Sequence, residues 1–350
     1  STQREQYLLS ASTQREQYLL SASTQQEQQV LPANTPELPS FGCLSREWLH
    51  RKEAHIKEST YIKYRNLLES YIAPALGEIP LNAVTNDCLY TYCSDMLTCG
   101  GKRGKGLSPK TIADTLSLIR NILRYAQDQG HEVSTDAKAI TVKQSSKEMR
   151  VLTQLEQTKL CDFICQNPDK RNMGILVCLF TGLRVGEICA LRWEDISLTE
   201  KTVYVHQTMQ RIQAEEGAAK KTKVIVTIPK SACSIRRIPL PDSLVAVIAD
   251  LGLPRTGYFL TGSDSRWIEP RTMQNHFKRI LKKSGVEDAN YHALRHTFAT
   301  RCVELGFDVK SLSEILGHAS VTITMNRYVH PSMELKRDKM QKLAALFAVK

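Results

Sequence analysis

Four side chains suited to chemistry lie close together near the C-terminus: His292, Arg295, His318 and Tyr328. A guanidinium offers a planar fork of donors that matches a phosphate, and an imidazole can move a proton near neutral pH. A tyrosine hydroxyl beside them can attack phosphorus and hold the product covalently. Together with Arg184 and Lys230 upstream, these residue types favour displacement of an oxygen from a phosphodiester.

The overall composition is typical of a globular protein with a polyanionic partner. Of its 350 residues 42% are hydrophobic, and 47 Lys and Arg against 36 Asp and Glu give a net charge of +11. Such an excess favours nucleic acid, because phosphate neutralisation releases counterions. No apolar run reaches the roughly 20 residues of a membrane span, and the N-terminal residues do not resemble a signal peptide. The ten scattered cysteines indicate reduced thiols in a cytoplasm.

Arg184 follows a glycine turn in Thr181-Gly182-Leu183-Arg184, at the predicted start of a helix. Glu187 lies one turn further along the same face. A carboxylate at this spacing would fix the guanidinium fork from behind, which suits an arginine that grips a phosphate. An ordinary ion pair on a surface helix is the alternative interpretation.

Two other chemistries must be weighed against this one. His292 and His296 are four residues apart and could bind zinc. However, the glutamate that follows the first histidine in the metalloprotease motif is missing, and Arg295 would place a cation beside the metal. No metal site is therefore predicted. Cys178 and Arg184 have the C-x5-R spacing of a cysteine phosphatase, yet no histidine precedes the cysteine and the segment has a helical pattern.

The chain divides into five predicted segments. Residues 1–40 form a polar tail that contains three copies of an 11-residue repeat, beginning at Ser1, Ser12 and Ser23. We predict a helical domain at 41–130, a linker at 131–150, a second domain at 151–331 and a last helix at 332–350. The predicted fold is mainly α with a small antiparallel β-sheet.

One helix of the first domain is strongly predicted. Ser108-Pro109 is an N-cap followed by a first-turn proline, and one apolar face follows: Ile112, Leu116, Ile119, Leu123 and Ala126. A glycine-rich cationic loop precedes this helix. We predict that the basic residues of the loop and helix contact DNA phosphates, with a solvated turn as the alternative: Lys102, Arg103, Lys105, Lys110, Arg120 and Arg124.

Three strands are predicted in the second domain, at 202–205, 223–228 and 235–239. A polar segment around Gly217 is predicted to turn the first strand into the second. A capping box at Thr153 and Glu156 predicts the first helix of this domain, and further helices are predicted at 272–283, 292–306 and 309–316.

These motifs together resemble the tyrosine recombinase, or phage integrase, family over roughly residues 41–350. The resemblance is carried by the order and spacing of Thr181 to Glu187, Pro229-Lys230, Arg236 to Leu240, His292 to His296, Leu316-Gly317-His318 and Tyr328-Val329-His330. Integrases of conjugative transposons and prophages from Gram-positive bacteria are the most similar group. The arm-DNA-binding domain that often precedes the core-binding domain in this group is not matched by residues 1–33.

The resemblance implies a role for each matched residue. Arg184 and Arg295 would clamp the scissile phosphate, and Tyr328 would attack it to leave a 3′-phosphotyrosine and a free 5′-hydroxyl. Lys230 would protonate the leaving 5′-oxygen, although Lys220, Lys221 and Lys223 in the same hairpin are rivals for that role. Three further roles are implied: His292 assists proton transfer at the tyrosine, His318 binds a phosphate oxygen, and Glu187 orients Arg184.

The family also implies architecture and partners. Residues 41–130 would be a core-DNA-binding domain, and 332–350 would dock on a neighbouring protomer, with packing on its own domain as the alternative. The expected partners are double-stranded DNA with specific core sites, a homotetramer on that DNA, an excisionase and a host DNA-bending protein. No cofactor is expected, and the site of action is the bacterial cytoplasm and nucleoid. Chromosome-dimer resolution, DNA inversion, a type IB topoisomerase and a catalytically dead regulator remain alternatives to mobile-element integration.

Overall fold

The computed structural model describes residues 38–101, 104–133, 135–136, 139–144, 149–214, 217, 219–229, 231–251, 255–329, 336–337 and 340–343. The chain forms two compact units, with the boundary between Gln144 and Ser145. That boundary falls inside the predicted linker. The tandem repeat at 1–33 lies outside the described residues.

The described part of the first unit is helical, as predicted. It comprises α1 (Phe41–Glu53), α2 (Glu58–Leu67), a π-helical turn (Leu68–Ile72), α3 (Ala73–Leu76), α4 (Asn86–Thr98) and α5 (Pro109–Asp128). The π-helical turn ends two residues before Pro74, which lacks the N–H that a continuous α-helix would use. The N-cap of α2 is Lys57.

Helix α5 forms the centre of this unit. Ser108 caps it, because its Oγ accepts a hydrogen bond of 3.1 Å from the Thr111 amide. The predicted apolar face is confirmed, since Ile112, Leu116, Ile119, Leu123 and Ala126 are all buried. These side chains pack in one core with buried residues of α1, such as Phe41 and Trp48.

The second unit contains more elements and a larger core. Its helices are α6 (Gln154–Gln166), α7 (Lys170–Thr181), α8 (Val185–Ala190), α9 (Asp242–Ala249), α10 (Pro270–Lys283), α11 (His292–Glu304), α12 (Val309–Leu316) and α13 (Val321–Tyr328). Its strands are β1 (Ile196–Ser197), β2 (Thr202–Val205), β3 (Thr208–Gln213), β4 (Thr222–Thr227) and β5 (Arg236–Pro239). Helix α7 is almost wholly buried and is therefore the central element of this unit.

The pairing of the strands differs from the prediction. Within the described residues β2 pairs with β1 and β5, whereas β4 pairs with β3 in a separate sheet. The prediction that the segment around Gly217 turns the strand at 202–205 into the strand at 223–228 is therefore wrong, since that segment lies between β3 and β4. Strand β3 was missed because its buried apolar residues, Met209 and Ile212, are three apart, a spacing more typical of a helix than of a strand.

No helix in the described residues is both long enough and apolar enough to cross a membrane.

Candidate active site

Gly182 ends helix α7 and sets the position of Arg184. Its φ of 67° is left-handed, and a Cβ there would come within 2.6 Å of the Phe298 ring, so glycine is required. The chain then turns into α8, with Arg184 as the N-cap residue. Glu187 accepts hydrogen bonds from the Arg184 amide (2.9 Å) and from Arg184 Nη1 (2.8 Å).

Glu187 is also bound by a second arginine that the sequence analysis did not assign to the site. Arg236 donates to both carboxylate oxygens of Glu187, at 3.2 and 3.0 Å, and its Nε donates to the Ile315 carbonyl at 2.6 Å. Glu187 is 3% exposed, so the alternative of a surface ion pair is wrong. The sequence did contain a signal that Arg236 is buried. Alternation along a strand puts Arg236 on the same face of β5 as the apolar Ile238.

Arg295 lies on α11 and is 1% exposed. Its Nη1 donates to the Gly182 carbonyl at 2.8 Å, and its Nη2 donates to the Leu316 carbonyl at 2.7 Å. Arg184 Nη2 donates to the next carbonyl, that of Gly317, at 3.3 Å. Both predicted phosphate-binding arginines are therefore anchored to the backbone that leads directly into His318.

The pocket carries an excess of positive charge. Arg184 and Arg236 both pair with the Glu187 carboxylate, Arg295 interacts with it electrostatically, and the Arg327 cation lies beside Tyr328. Burial, with the Arg184 cation as the next cause, lowers the pKa of Arg295 to about 9. Burial alone would raise the pKa of Glu187, but Arg236 and Arg184 hold it below its usual value. Buried charge needs compensation, and an anion bound beside Arg184 and Arg295 would supply it.

His318 and Tyr328 complete the pocket from the short helices α12 and α13. His318 Nδ1 lies 2.7 Å from Thr324 Oγ1, and its ring is parallel to that of Tyr328, with centroids 6.4 Å apart. Tyr328 is 7% exposed. Burial raises the pKa of its hydroxyl, although the Arg295 and Arg327 cations act in the opposite sense. The tyrosine therefore reaches the arginine pocket of its own subunit.

The histidine that contacts the Tyr328 hydroxyl is His296, which was predicted only as a rival zinc ligand. His296 Nδ1 lies 2.9 Å from Tyr328 Oη. The His292 ring meets the His296 ring edge to face, with centroids 4.5 Å apart. Burial is the largest cause that lowers the pKa of each pocket histidine, to about 4 for His292 and His296 and about 3 for His318. All three imidazoles are neutral near pH 7.

The predicted general acid, Lys230, lies outside the described residues, but its neighbours are described. The Cys233 carbonyl oxygen lies 3.0 Å from the position that a Cβ on Gly317 would occupy. The segment that follows Lys230 is thus packed against the backbone next to His318. Lys220, Lys221 and Lys223 lie at the other end of β4, which is roughly 17 Å long for its five residue steps.

A model described as the phage integrase family matches residues 150–334, which is more than half of the chain. The chain belongs to the phage integrase family. The resemblance to tyrosine recombinases predicted from the motifs is confirmed. A second model, the N-terminal SAM-like domain of phage integrases, matches residues 40–97 and thus covers α1 to α4.

Several relatives of this integrase-family chain are similar over most of its length. A tyrosine recombinase XerC-like protein of Caldanaerobacter subterraneus subsp. tengcongensis is 27% identical, with 88% of this chain and 83% of the relative covered. A putative prophage phiRv2 integrase of Mycobacterium tuberculosis is 24% identical, with 85% and 76% covered.

Solved integrase structures share the fold. The Tn1549 transposon integrase, in complex with a circular intermediate DNA, has a TM-score of 0.70 at 21% identity and covers 87% of this chain and 99% of its own. A lambda integrase tetramer bound to a Holliday junction has a TM-score of 0.62 at 19% identity and covers 92% and 88%.

The geometry also excludes the rival chemistry of a cysteine phosphatase. Cys178 is buried inside α7, and burial raises the pKa of its thiol to about 12, so it cannot serve as a phosphatase thiolate. His296 Nδ1 faces the Tyr328 hydroxyl at 2.9 Å. Among the described residues no group of three or more His, Cys, Asp or Glu is placed to hold a metal.

The basic residues predicted to contact DNA in the first unit have different environments. Lys105 and Arg124 are exposed, and Lys110 is exposed but pairs with Asp114 at 2.9 Å. Arg120 is half-buried and donates to the Ile140 carbonyl, so part of its hydrogen-bonding capacity is used within the fold. Lys102 and Arg103 lie outside the described residues. DNA contact by these six residues stays a prediction.

Proposed function

We propose that this chain cuts and rejoins DNA at specific sites through a 3′-phosphotyrosine formed by Tyr328, in the integration and excision of a mobile element. One observation carries the proposal. The buried hydroxyl of Tyr328 lies in the same pocket as Arg184 and Arg295, and the single Glu187 carboxylate cannot balance these two guanidiniums together with that of Arg236. A scissile phosphate would balance the remaining positive charge.

Each pocket residue has a role that follows from its contacts. Arg184 and Arg295 bind the non-bridging oxygens and stabilise the charge that builds up as phosphorus becomes five-coordinate. Glu187 and Arg236 hold Arg184 in position. If the Thr324 hydroxyl donates to His318 Nδ1, the imidazole proton is on Nε2, from which it can donate to a phosphate oxygen. His292 supports proton transfer at the tyrosine through its contact with His296.

The reaction conserves the phosphodiester energy. The Tyr328 oxygen forms a bond to phosphorus while the bond from phosphorus to the 5′-oxygen breaks, and that oxygen takes a proton from the general acid. Joining is the reverse, so no ATP is consumed. The guanidiniums provide the positive charge that divalent cations provide at many other phosphoryl-transfer sites.

We assign the general acid to Lys230, because the segment after it packs beside Gly317 whereas Lys220, Lys221 and Lys223 lie at the far end of β4. Lys230→Ala should slow cleavage by about 10²–10⁴-fold. A substrate whose 5′-bridging oxygen is replaced by sulfur should restore the rate, because a thiolate leaves without a proton. The measurement is single-turnover cleavage of both substrates by the same variant.

Lys221→Ala is the matched control and should cleave the oxygen substrate at the wild-type rate. The opposite pattern, in which Lys221→Ala is slow and its rate is restored by the sulfur substrate, would make Lys221 the general acid.

The proposal includes the assembly on DNA. The first unit and the second unit would each bind DNA at a core site, and four protomers would join two such sites. Residues 332–350 would dock on a neighbouring protomer. An excisionase and a host DNA-bending protein would set the direction of the reaction in the bacterial nucleoid. These assignments rest on the family and on the tetrameric assembly of the lambda integrase structure.

A XerC-like role is the second candidate, because a relative of that description covers 88% of this chain. Both candidates use the same pocket, so the DNA must discriminate between them. A mobile-element integrase recombines the two ends of the DNA segment that encodes it. A XerC-like enzyme recombines two copies of one chromosomal site and leaves those ends unchanged.

The test of the proposed function is a covalent adduct. A duplex carrying one end of the encoding segment is nicked so that the cleaved fragment diffuses away and traps the protein. We expect a protein–DNA adduct in EDTA without ATP, with the phosphotyrosine mapped to Tyr328 by mass spectrometry. The proposal is refuted if the protein forms no adduct on either end of the segment and none on the chromosomal site of a XerC-like enzyme. Relaxation of plasmid without any such site would instead indicate a topoisomerase.

A further inference from the structure

We propose that His296 is the base that accepts the proton of the Tyr328 hydroxyl when the tyrosine attacks phosphorus. This inference rests on the proposed function, in which Tyr328 is the nucleophile. It adds a residue to the reaction, because the family resemblance assigns proton transfer at the tyrosine to His292.

The contact itself is the first argument. His296 Nδ1 lies 2.9 Å from Tyr328 Oη, which is hydrogen-bonding distance. The two residues are 9% and 7% exposed, so bulk water is a poor competitor for this proton. His292 is one ring further away, because it meets the edge of His296 with a centroid distance of 4.5 Å.

The helix geometry explains why the contact is made by the second histidine. His292 and His296 are four residues apart on α11 and lie on one face. Helix α13 ends at Tyr328 and packs on the buried residues Leu312 and Ala299 of the preceding helices. The tyrosine therefore approaches the middle of α11, where His296 lies, and not its first turn, where His292 begins the helix.

The charges around His296 keep it ready to accept a proton. The groups that face it are His292, Arg295, Arg327 and Tyr328. Burial, then Arg327 and Arg295, lowers its pKa to about 4, so the imidazole is neutral before the reaction. A phosphodiester bound by the arginines adds negative charge to the pocket and raises the basicity of the imidazole.

The proposed step is balanced and reversible. The O–H bond of Tyr328 breaks as its oxygen bonds to phosphorus, and the proton passes to Nδ1 of the His296 tautomer that carries its own proton on Nε2. The 5′-oxygen leaves with a proton from the general acid. During joining the imidazolium returns its proton to the tyrosine oxygen. Transfer and attack are concerted, because the phenol is a much weaker acid than the imidazolium.

The test uses His296→Asn in the full-length protein. The asparagine carbonyl oxygen can replace Nδ1 as a hydrogen-bond acceptor, but it cannot take the proton. We expect single-turnover cleavage of the nicked duplex to slow by about 10²-fold or more, with the affinity for DNA unchanged. His276→Asn is the matched control, since His276 is 6% exposed and pairs with Asn172 Oδ1 at 2.7 Å on α7, and it should cleave at the wild-type rate.

Rescue separates a base from a merely structural residue. A fluorinated tyrosine that ionises near neutral pH, incorporated at position 328, should restore most of the rate that His296→Asn loses. The substrate with sulfur at the 5′-bridging position should not restore the rate, because it removes the need for the general acid and not the need for a base. A wild-type rate in His296→Asn, a faster rate, or no rescue by the fluorinated tyrosine would overturn the inference.

The outcomes also separate this inference from the proposed function. If the wild-type protein forms no adduct at Tyr328, the proposed function fails first. If the wild type reacts and His296→Asn does not fold, fluorinated tyrosines are compared with His296 intact. A rate that rises in proportion to the phenolate fraction would then show that the tyrosine ionises without a base, and would contradict the role of His296.

Discussion

Tyr328→Phe will form no covalent adduct on the nicked duplex, with a loss in cleavage rate of at least about four orders of magnitude. The change removes one oxygen, and that oxygen is the atom proposed to bond to phosphorus. Affinity for DNA should stay at the wild-type level, since the arginines and His318 remain. Loss of the hydrogen bond to His296 should lower stability by only about 1 kcal/mol. Denaturing gel electrophoresis of the adduct and a DNA-binding titration measure the two effects.

Two further arms make this result specific. Tyr204→Phe is the matched control, because Tyr204 lies on β2 against Arg237, and it should form the adduct normally. A mixture of Tyr328→Phe with Arg295→Ala should also form no adduct, since Tyr328 lies in the pocket of its own subunit. Adduct in that mixture would show that the tyrosine acts in the pocket of a neighbour.

The sequence was sufficient to predict those parts of the site that depend on local rules. The glycine turn before Arg184 and the three-residue spacing to Glu187 predicted their hydrogen bonds, because both follow from the start of a helix. The spacing of Ile112, Leu116 and Ile119 predicted the buried face of α5 for a similar reason. These features depend on residues within one or two turns of each other.

The parts that the sequence did not predict depend on distant contacts. Arg236 binds Glu187 across 49 positions of the chain, and His296 meets Tyr328 across 32. Neither distance carries a local signal, although the alternation along β5 and the helical period of α11 showed which faces these residues share. Strand β3 was missed for a different reason, since its partner β4 determines its conformation more than its own apolar pattern does.

Glu187→Gln will destabilise the second unit by about 3–5 kcal/mol, because it removes the charge that compensates buried guanidiniums. Both carboxylate oxygens of Glu187 accept hydrogen bonds from Arg184 and Arg236. An amide offers only one such oxygen, and its NH₂ group would face two donors. For a unit of this size we expect the melting temperature to fall by roughly 10 °C. Cleavage should also slow, by about 10²-fold, because Arg184 loses its fixed orientation.

The pH dependence of this loss identifies its cause. The folded-state pKa of Glu187 lies below its usual value, so its ionised form contributes stability above the unfolded pKa of about 4.3. That contribution is lost as the pH falls through the folded pKa. The difference in melting temperature between wild type and Glu187→Gln should therefore be full at pH 7 and shrink below about pH 4. Glu314→Gln, the same change at an exposed position of α12, should melt like the wild type. Equal melting of Glu187→Gln and wild type at pH 7 would mean that the arginine pocket is not held together by this carboxylate.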